Sequence, residues 1–112
     1  MKVLHYTNSS GKDLIEEKIN KLQVDEQVDA RRVLLNLEDG KLDCLRIKQW
    51  QKKVYEIYFY KHNRFFYITV EKGKICILHV CKKQKNKTEK KDKNIVIKRA
   101  KELGKEYNKK FV

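Results

Sequence analysis

The chain has 112 residues, no proline, 28 lysines and arginines against 15 acidic residues, and a formal net charge of +13. Such a length fits a single domain, residues 1–112, whose modest core buries roughly 60 to 70% of the unfolded chain's surface. No separate regulatory domain is expected. Three cysteines without a CxxC pair exclude a disulfide framework. With no run of about 18 apolar residues and no apolar stretch of a secretory signal at the start, the expectation is a cytoplasmic protein without a membrane partner.

Charge is spread unevenly: residues 1–40 carry −2, residues 41–81 carry +6 and residues 82–112 carry +9. A field that grows along the chain favours nucleic acid or a ribosomal surface as partner. The plainer alternative is a solubilising surface.

In chain order, Lys2 to Tyr6 reads as a strand ended by the turn-forming run Asn8-Ser9-Ser10-Gly11. Ser10 and Asp13 have the spacing of a capping box, and Ile15, Ile19 and Leu22 recur at helical spacing, so a first helix is expected to about Leu22. A second helix should start near Asp25, with Ala30, Val33, Leu34 and Leu37 as its apolar stripe and Gly40 as the C′ stop. Residues 41–52 show no clear period and read as a connection with room for a short extended piece. Trp50 within it is an anchor over the core edge rather than a base platform.

Three β-rich runs follow, Lys53 to Tyr60, Arg64 to Glu71 and Lys74 to Cys81, separated by segments short enough to force antiparallel hairpins. Apolar residues on both parities of the last two imply a sheet covered on both faces. Alternation along the last strand turns Cys76 away from His79 and Cys81, which argues against a zinc site and for reduced, buried thiols. No metal or cofactor is expected. Val96, Ala100, Leu103 and Tyr107 mark a final helix from about Thr88 to Asn108, capped by Thr88 or Asp92. The order β-α-α-β-β-β-α is that of an α+β domain in which helices pack on a small, mostly antiparallel sheet.

From Arg64 to Thr88 an arginine opens one strand, a histidine closes the next, and Lys82, Lys83, Lys85 and Lys87 follow. Fixed cations beside a histidine on a rigid sheet suit a phosphodiester.

Several local motifs resemble the RelE/ParE toxin superfamily, most closely its phage-derived HigB-like branch. Val54-Tyr55-Glu56-Ile57-Tyr58-Phe59 is similar to the family's "yELR" strand, and Asn63-Arg64-Phe65-Phe66-Tyr67-Ile68 to its "yRifYf" strand. Ile75-Cys76-Ile77-Leu78-His79-Val80-Cys81-Lys82-Lys83-Gln84-Lys85-Asn86-Lys87-Thr88 resembles "iilLHgFxKKtxKTp". Two departures stand out: Tyr58 occupies the position of the family's "ELR" arginine, and Glu89 that of its proline.

The resemblance implies a RelE-like fold and a type II toxin, a metal-independent endoribonuclease that cuts mRNA at the ribosome and inhibits translation. It also implies a cognate antitoxin, of helix-turn-helix type in this branch, with oligomers formed only through that complex. RNA cleavage by internal attack needs the 2′-hydroxyl activated, the phosphorane stabilised and the leaving oxygen neutralised. Arg64 and Lys83 are the candidate charges, and His79 or Tyr58 the proton carrier. Lys82, Lys85, Lys87 and Tyr67 are candidate RNA contacts. Each has a structural alternative: an ion pair with Glu56 for Arg64, a core position for His79 and Tyr67, a solvated loop for the lysines. A non-cleaving or gyrase-directed ParE-like toxin and a basic RNA- or ribosome-binding adaptor remain as other functions.

Overall fold

The structure is a computed structural model, and residues 1–82 and 89–112 are described. Its elements are β1 (Lys2–His5), α1 (Leu14–Asn20), α2 (Val24–Glu38), a 3₁₀ turn (Leu42–Cys44), β2 (Arg46–Gln51), β3 (Val54–Phe59), β4 (Asn63–Glu71), β5 (Lys74–Lys82) and α3 (Lys90–Tyr107). Five strands form one mixed sheet in the order β1-β5-β4-β3-β2. β1 runs parallel to β5 and the other neighbours are antiparallel.

The α+β class expected from the sequence holds, and the sheet gains a strand. Residues 46–51 form β2, paired along β3 from Arg46↔Tyr58 to Gln51↔Val54, where a connection with room for a short extended piece was expected. The alternation of Leu45, Ile47 and the cations Arg46 and Lys48 is the period of a half-buried strand. A register shift between Gln49 and Gln51 interrupts it and masks the pattern.

Asp13, rather than Ser10, caps α1: its carboxylate accepts the Ile15 and Glu16 N–H groups at 3.0 and 2.9 Å. The helix α2 starts with the Gln23 N–H donating to the Glu26 carboxylate at 3.1 Å and ends as expected at Gly40, whose φ is +71°. There the Gly40 N–H reaches the Leu37 carbonyl and the Lys41 N–H the Asn36 carbonyl, a Schellman ending that needs a left-handed residue at Gly40. Glu89 is the N-cap residue of α3 and makes no side-chain cap bond. Of the two expected caps, Asp92 is buried inside the first turn, and Thr88 lies outside the described residues.

Apolar side chains cover both faces, as the double parity of β4 and β5 requires. On one face α1 and α2 place Ile15, Ile19, Ala30, Val33 and Leu37 against Ile57, Phe65, Ile75 and Ile77. On the other, α3 packs Val96 and Ala100 over Phe66, Ile68, Val70 and Leu78, with Phe111 of the C-terminal tail closing the layer. Removing any of these fully buried aliphatic side chains to alanine costs about 2–5 kcal/mol.

One irregularity decides which way the site residues point. Phe66 pairs with His79 and Tyr67 with Ile77, so Leu78 is the extra residue of a β-bulge in β5. Parity inverts there. Cys76, Leu78 and Cys81 all join the α3-side core while Ile75, Ile77 and Val80 join the other. The expectation that Cys76 faces away from Cys81 and His79 is therefore corrected, because it assumed an unbroken two-residue repeat.

Candidate functional site

Two cross-strand rungs run across the α3-facing side of the sheet. The first is Arg46, Tyr58, Arg64 and Cys81 on β2, β3, β4 and β5; the second is Lys48, Glu56, Phe66 and His79. Directly opposed residues on neighbouring strands share a face, so register alone gathers three candidates on one surface: Arg64, Tyr58 and His79.

Arg64 is 1% exposed and its Nη1 forms an ion pair with Oε2 of Glu56, itself 3% exposed. The other Glu56 oxygen accepts the Tyr58 hydroxyl at 2.9 Å. One carboxylate thus holds both a guanidinium and a phenol, the strong charge-assisted arrangement that fixes two side chains at once. The ion pair weighed for Arg64 exists, and it is buried rather than superficial. The Arg64 guanidinium also lies 5.8 Å from the Tyr58 ring centroid and 5.6 Å from that of Phe66. On the far side of Tyr58, the exposed Arg46 guanidinium sits 5.3 Å from the same ring.

His79 is 3% exposed. Its Nε2 is 2.8 Å from Oδ1 of Asp92 in the first turn of α3. Burial lowers the imidazole's pKa and the Asp92 carboxylate opposes that shift; the net direction is downward, so the ring is neutral at pH 7. The neutral ring places its proton on Nε2, donating to Asp92. This pair pins α3 to β5, and Phe66 stacks beside the imidazole with ring centroids 6.4 Å apart. Trp50 meets the opposite side of Phe66 edge-on at 5.1 Å, the anchoring role expected of it.

Other candidates lie elsewhere. Lys82 is exposed and its Nζ is 3.0 Å from Oε1 of Glu26 on α2, on the face opposite Arg64. Burial alone would raise the Glu26 pKa, but Lys82 and the Gln23 N–H outweigh it and hold the carboxyl below its ordinary value. Tyr67 is 8% exposed in the core beneath α1 and α2, stacked on Tyr55 with centroids 5.7 Å apart. Burial raises its phenol pKa. Lys83, Lys85 and Lys87 lie outside the described residues.

A donor set other than the cysteine–histidine group weighed from the sequence comes together. Ligand atoms of His79, Cys81 and Asp92 all lie within 4.8 Å of one another and all three residues are buried. Nitrogen, sulfur and oxygen at such spacing can hold a transition metal. Against that, His79 and Asp92 already satisfy each other, and burial pushes the Cys81 thiol up to about 12, so it is protonated at neutral pH.

The ion pair of Arg64 with Glu56 was weighed from the sequence, but its burial and its hold on Tyr58 were not; Asp92 as the partner of His79 was missed, and Arg46 and Lys48 altogether. The last two had a signal, the alternation around Ile47.

A family model described as Phage derived protein Gp49-like (DUF891) matches residues 17–101. The chain belongs to this family. The Gp49-like match runs from α1 to α3 and includes every residue of both rungs and Asp92; residues 1–16 and 102–112 fall outside it. Comparison with curated proteins finds no match. No helix among the described residues is long and apolar enough to cross a membrane.

Proposed function

We propose that this Gp49-like protein is a RelE-type, HigB-like toxin of a type II toxin-antitoxin pair, an endoribonuclease that cuts mRNA at the ribosome without a metal. The observation that carries the reading is the Arg64–Glu56–Tyr58 triad, a pre-oriented cation, carboxylate and phenol on a rigid sheet. A phenol hydrogen-bonded to a carboxylate can relay the 2′-hydroxyl proton, and a nearby fixed cation can offset the charge of the phosphorane.

In this mechanism the Tyr58 oxygen accepts the 2′-hydroxyl proton while its own proton passes to Glu56. The 2′-oxygen bonds to phosphorus, the positive field of Arg64, buried beside Tyr58, offsets the added negative charge, and the P–O5′ bond breaks. A lysine of the segment that follows β5, Lys83 foremost, donates a proton to the leaving 5′-oxygen. Products carry a 2′,3′-cyclic phosphate and a 5′-hydroxyl. His79, buried against Asp92, is a positioning residue that holds α3 and the exit of β5 in place. A cognate helix-turn-helix antitoxin silences the toxin and is the source of any oligomer.

The test is induction in a heterologous host followed by mapping of transcript ends. Growth arrest with new 5′-hydroxyl ends within translated regions is expected, and Tyr58→Phe should fold normally and leave transcripts intact. Undamaged transcripts with gyrase-dependent DNA breaks would replace this reading by a ParE-like one. RNA binding without cleavage on translating ribosomes would reduce it to an adaptor.

A further inference from the structure

We propose that β2 carries a second phosphate subsite, centred on Arg46 and completed by Lys61, that holds the nucleotide next to the cleaved one in single-stranded RNA. This rests on the RNA-directed reading above and adds Arg46 to it, a residue not among the candidates read from the sequence.

The two arginines flanking Tyr58 differ in one respect. The Arg64 charge is met inside the protein by Glu56. The Arg46 side chain is exposed, lies over the Tyr58 ring at 5.3 Å, and has no carboxylate partner among the described residues. A guanidinium stacked on an aromatic ring keeps its donor fork pointing outward along the ring plane, ready for a bidentate anion. An external phosphate thus meets an exposed, uncompensated cation at Arg46, whereas the Arg64 charge is buried and compensated by Glu56.

Space is available at the same place. A cavity of about 250 Å³ opens at the rim of the sheet, lined by Arg32, Arg46, Tyr58 and Lys61 together with Asp29. Its single acid is already spent. One Asp29 oxygen accepts from Arg32 Nε at 2.7 Å and the other from the Tyr60 N–H at 2.7 Å. The second bond holds a turn in which Tyr60 and Lys61 take left-handed φ values of +40° and +62° without being glycine. Strained non-glycine turns persist only when their surroundings over-determine them, and they concentrate where a side chain must be aimed. Here the turn places Lys61 at the cavity rim, opposite Arg46.

Tyr58 is the wall shared by the two subsites. Its hydroxyl serves the reacting phosphate beside Arg64, and its ring supports Arg46. The cation that the RelE-like pattern would place on β3 at position 58 is supplied one strand over, in the same rung.

The test is binding of a fluorescently labelled single-stranded RNA oligonucleotide to the full chain, by anisotropy across a range of salt. Arg46→Ala should weaken binding about tenfold and lower the slope of log K against log salt by about 0.7, the share of one phosphate contact. Lys72→Ala removes the same charge from the β4–β5 turn at the other end of the sheet and should change affinity less than twofold. Arg46→Lys should recover part of the loss. Equal effects of Arg46→Ala and Lys72→Ala, with the wild type binding well, would overturn the subsite and leave the proposed function standing. A wild type with no affinity for RNA even at low salt would overturn both.

Discussion

Replacing Glu56 by leucine tests whether the buried triad is the organising feature of the sheet. The ion-paired side chains are 2% and 4% exposed, so the relevant regime is that of a desolvated pair, not of a surface pair worth about 0–1 kcal/mol. Deleting one member of such a pair leaves the other charge in low dielectric and costs about 3–5 kcal/mol. The total stability of a domain of this size is about 5–15 kcal/mol, which makes the loss a large fraction of the whole. With a urea m-value of about 1.5 kcal/mol/M, the midpoint should fall by about 2–3 M. The chain's single tryptophan, Trp50, packs on Phe66 beside the triad and reports the transition by fluorescence. The double variant Glu56→Leu with Arg64→Met removes both charges and should return to within about 2 kcal/mol of wild type. A Glu56→Leu midpoint within about 0.5 M of wild type, or a double variant no better than the single, would refute the claim that Glu56 compensates a buried Arg64.

Three further outcomes follow from the packing. Because the folded-state pKa of His79 is lowered, the unfolded chain binds more protons below about pH 6.5, and stability should be complete above that pH and fall as pH drops through it; His79→Gln should flatten that part of a melting-temperature profile, and an unchanged slope would show that another group titrates. Gly104→Ala places a Cβ 2.6 Å from the Lys109 carbonyl oxygen, so it should lower the melting temperature by several degrees, about 4 °C per kcal/mol, in contrast to the gain of about 0.4–1 kcal/mol of an unhindered glycine-to-alanine change. Iodoacetamide at pH 8 should label only the exposed Cys44 in the native protein and all three cysteines in urea, since burial pushes both Cys76 and Cys81 up to about 12; native labelling of Cys81, read by mass spectrometry, would mean that the α3 face opens readily.

Long periodic segments carried the fold into the sequence. Ile15, Ile19, Ala30, Val33 and Leu37 repeat with the helix, and the double parity of β4 and β5 announces two covered faces. What stayed hidden is what a single residue changes. The bulge at Leu78 inverts every side chain beyond it, and no local propensity marks it. The shift at Gln49–Gln51 breaks β2 just where its alternation would have become convincing. At the site, Arg64 and Tyr58 were legible through their motifs and Glu56 through its neighbouring strand. Asp92 read as a helix cap because its partner, His79, is 13 positions away and meets it only once α3 folds back. Tyr67 and Lys82, chosen for chemical type, lie on the face opposite Arg64, which only register could show.

The parallel pairing of β1 with β5 ties Lys2 to Lys74 and His5 to Ile77. During synthesis at about 5–20 residues per second, the first strand emerges roughly 4 to 14 s before its partner, and the sheet has no place for it until then. The hairpins of β2 to β5 join near neighbours in sequence, so each can close as soon as its second strand is made. Closure of the β1 edge is the pairing of greatest sequence separation in the sheet, and β1 has to wait for β5 to make it.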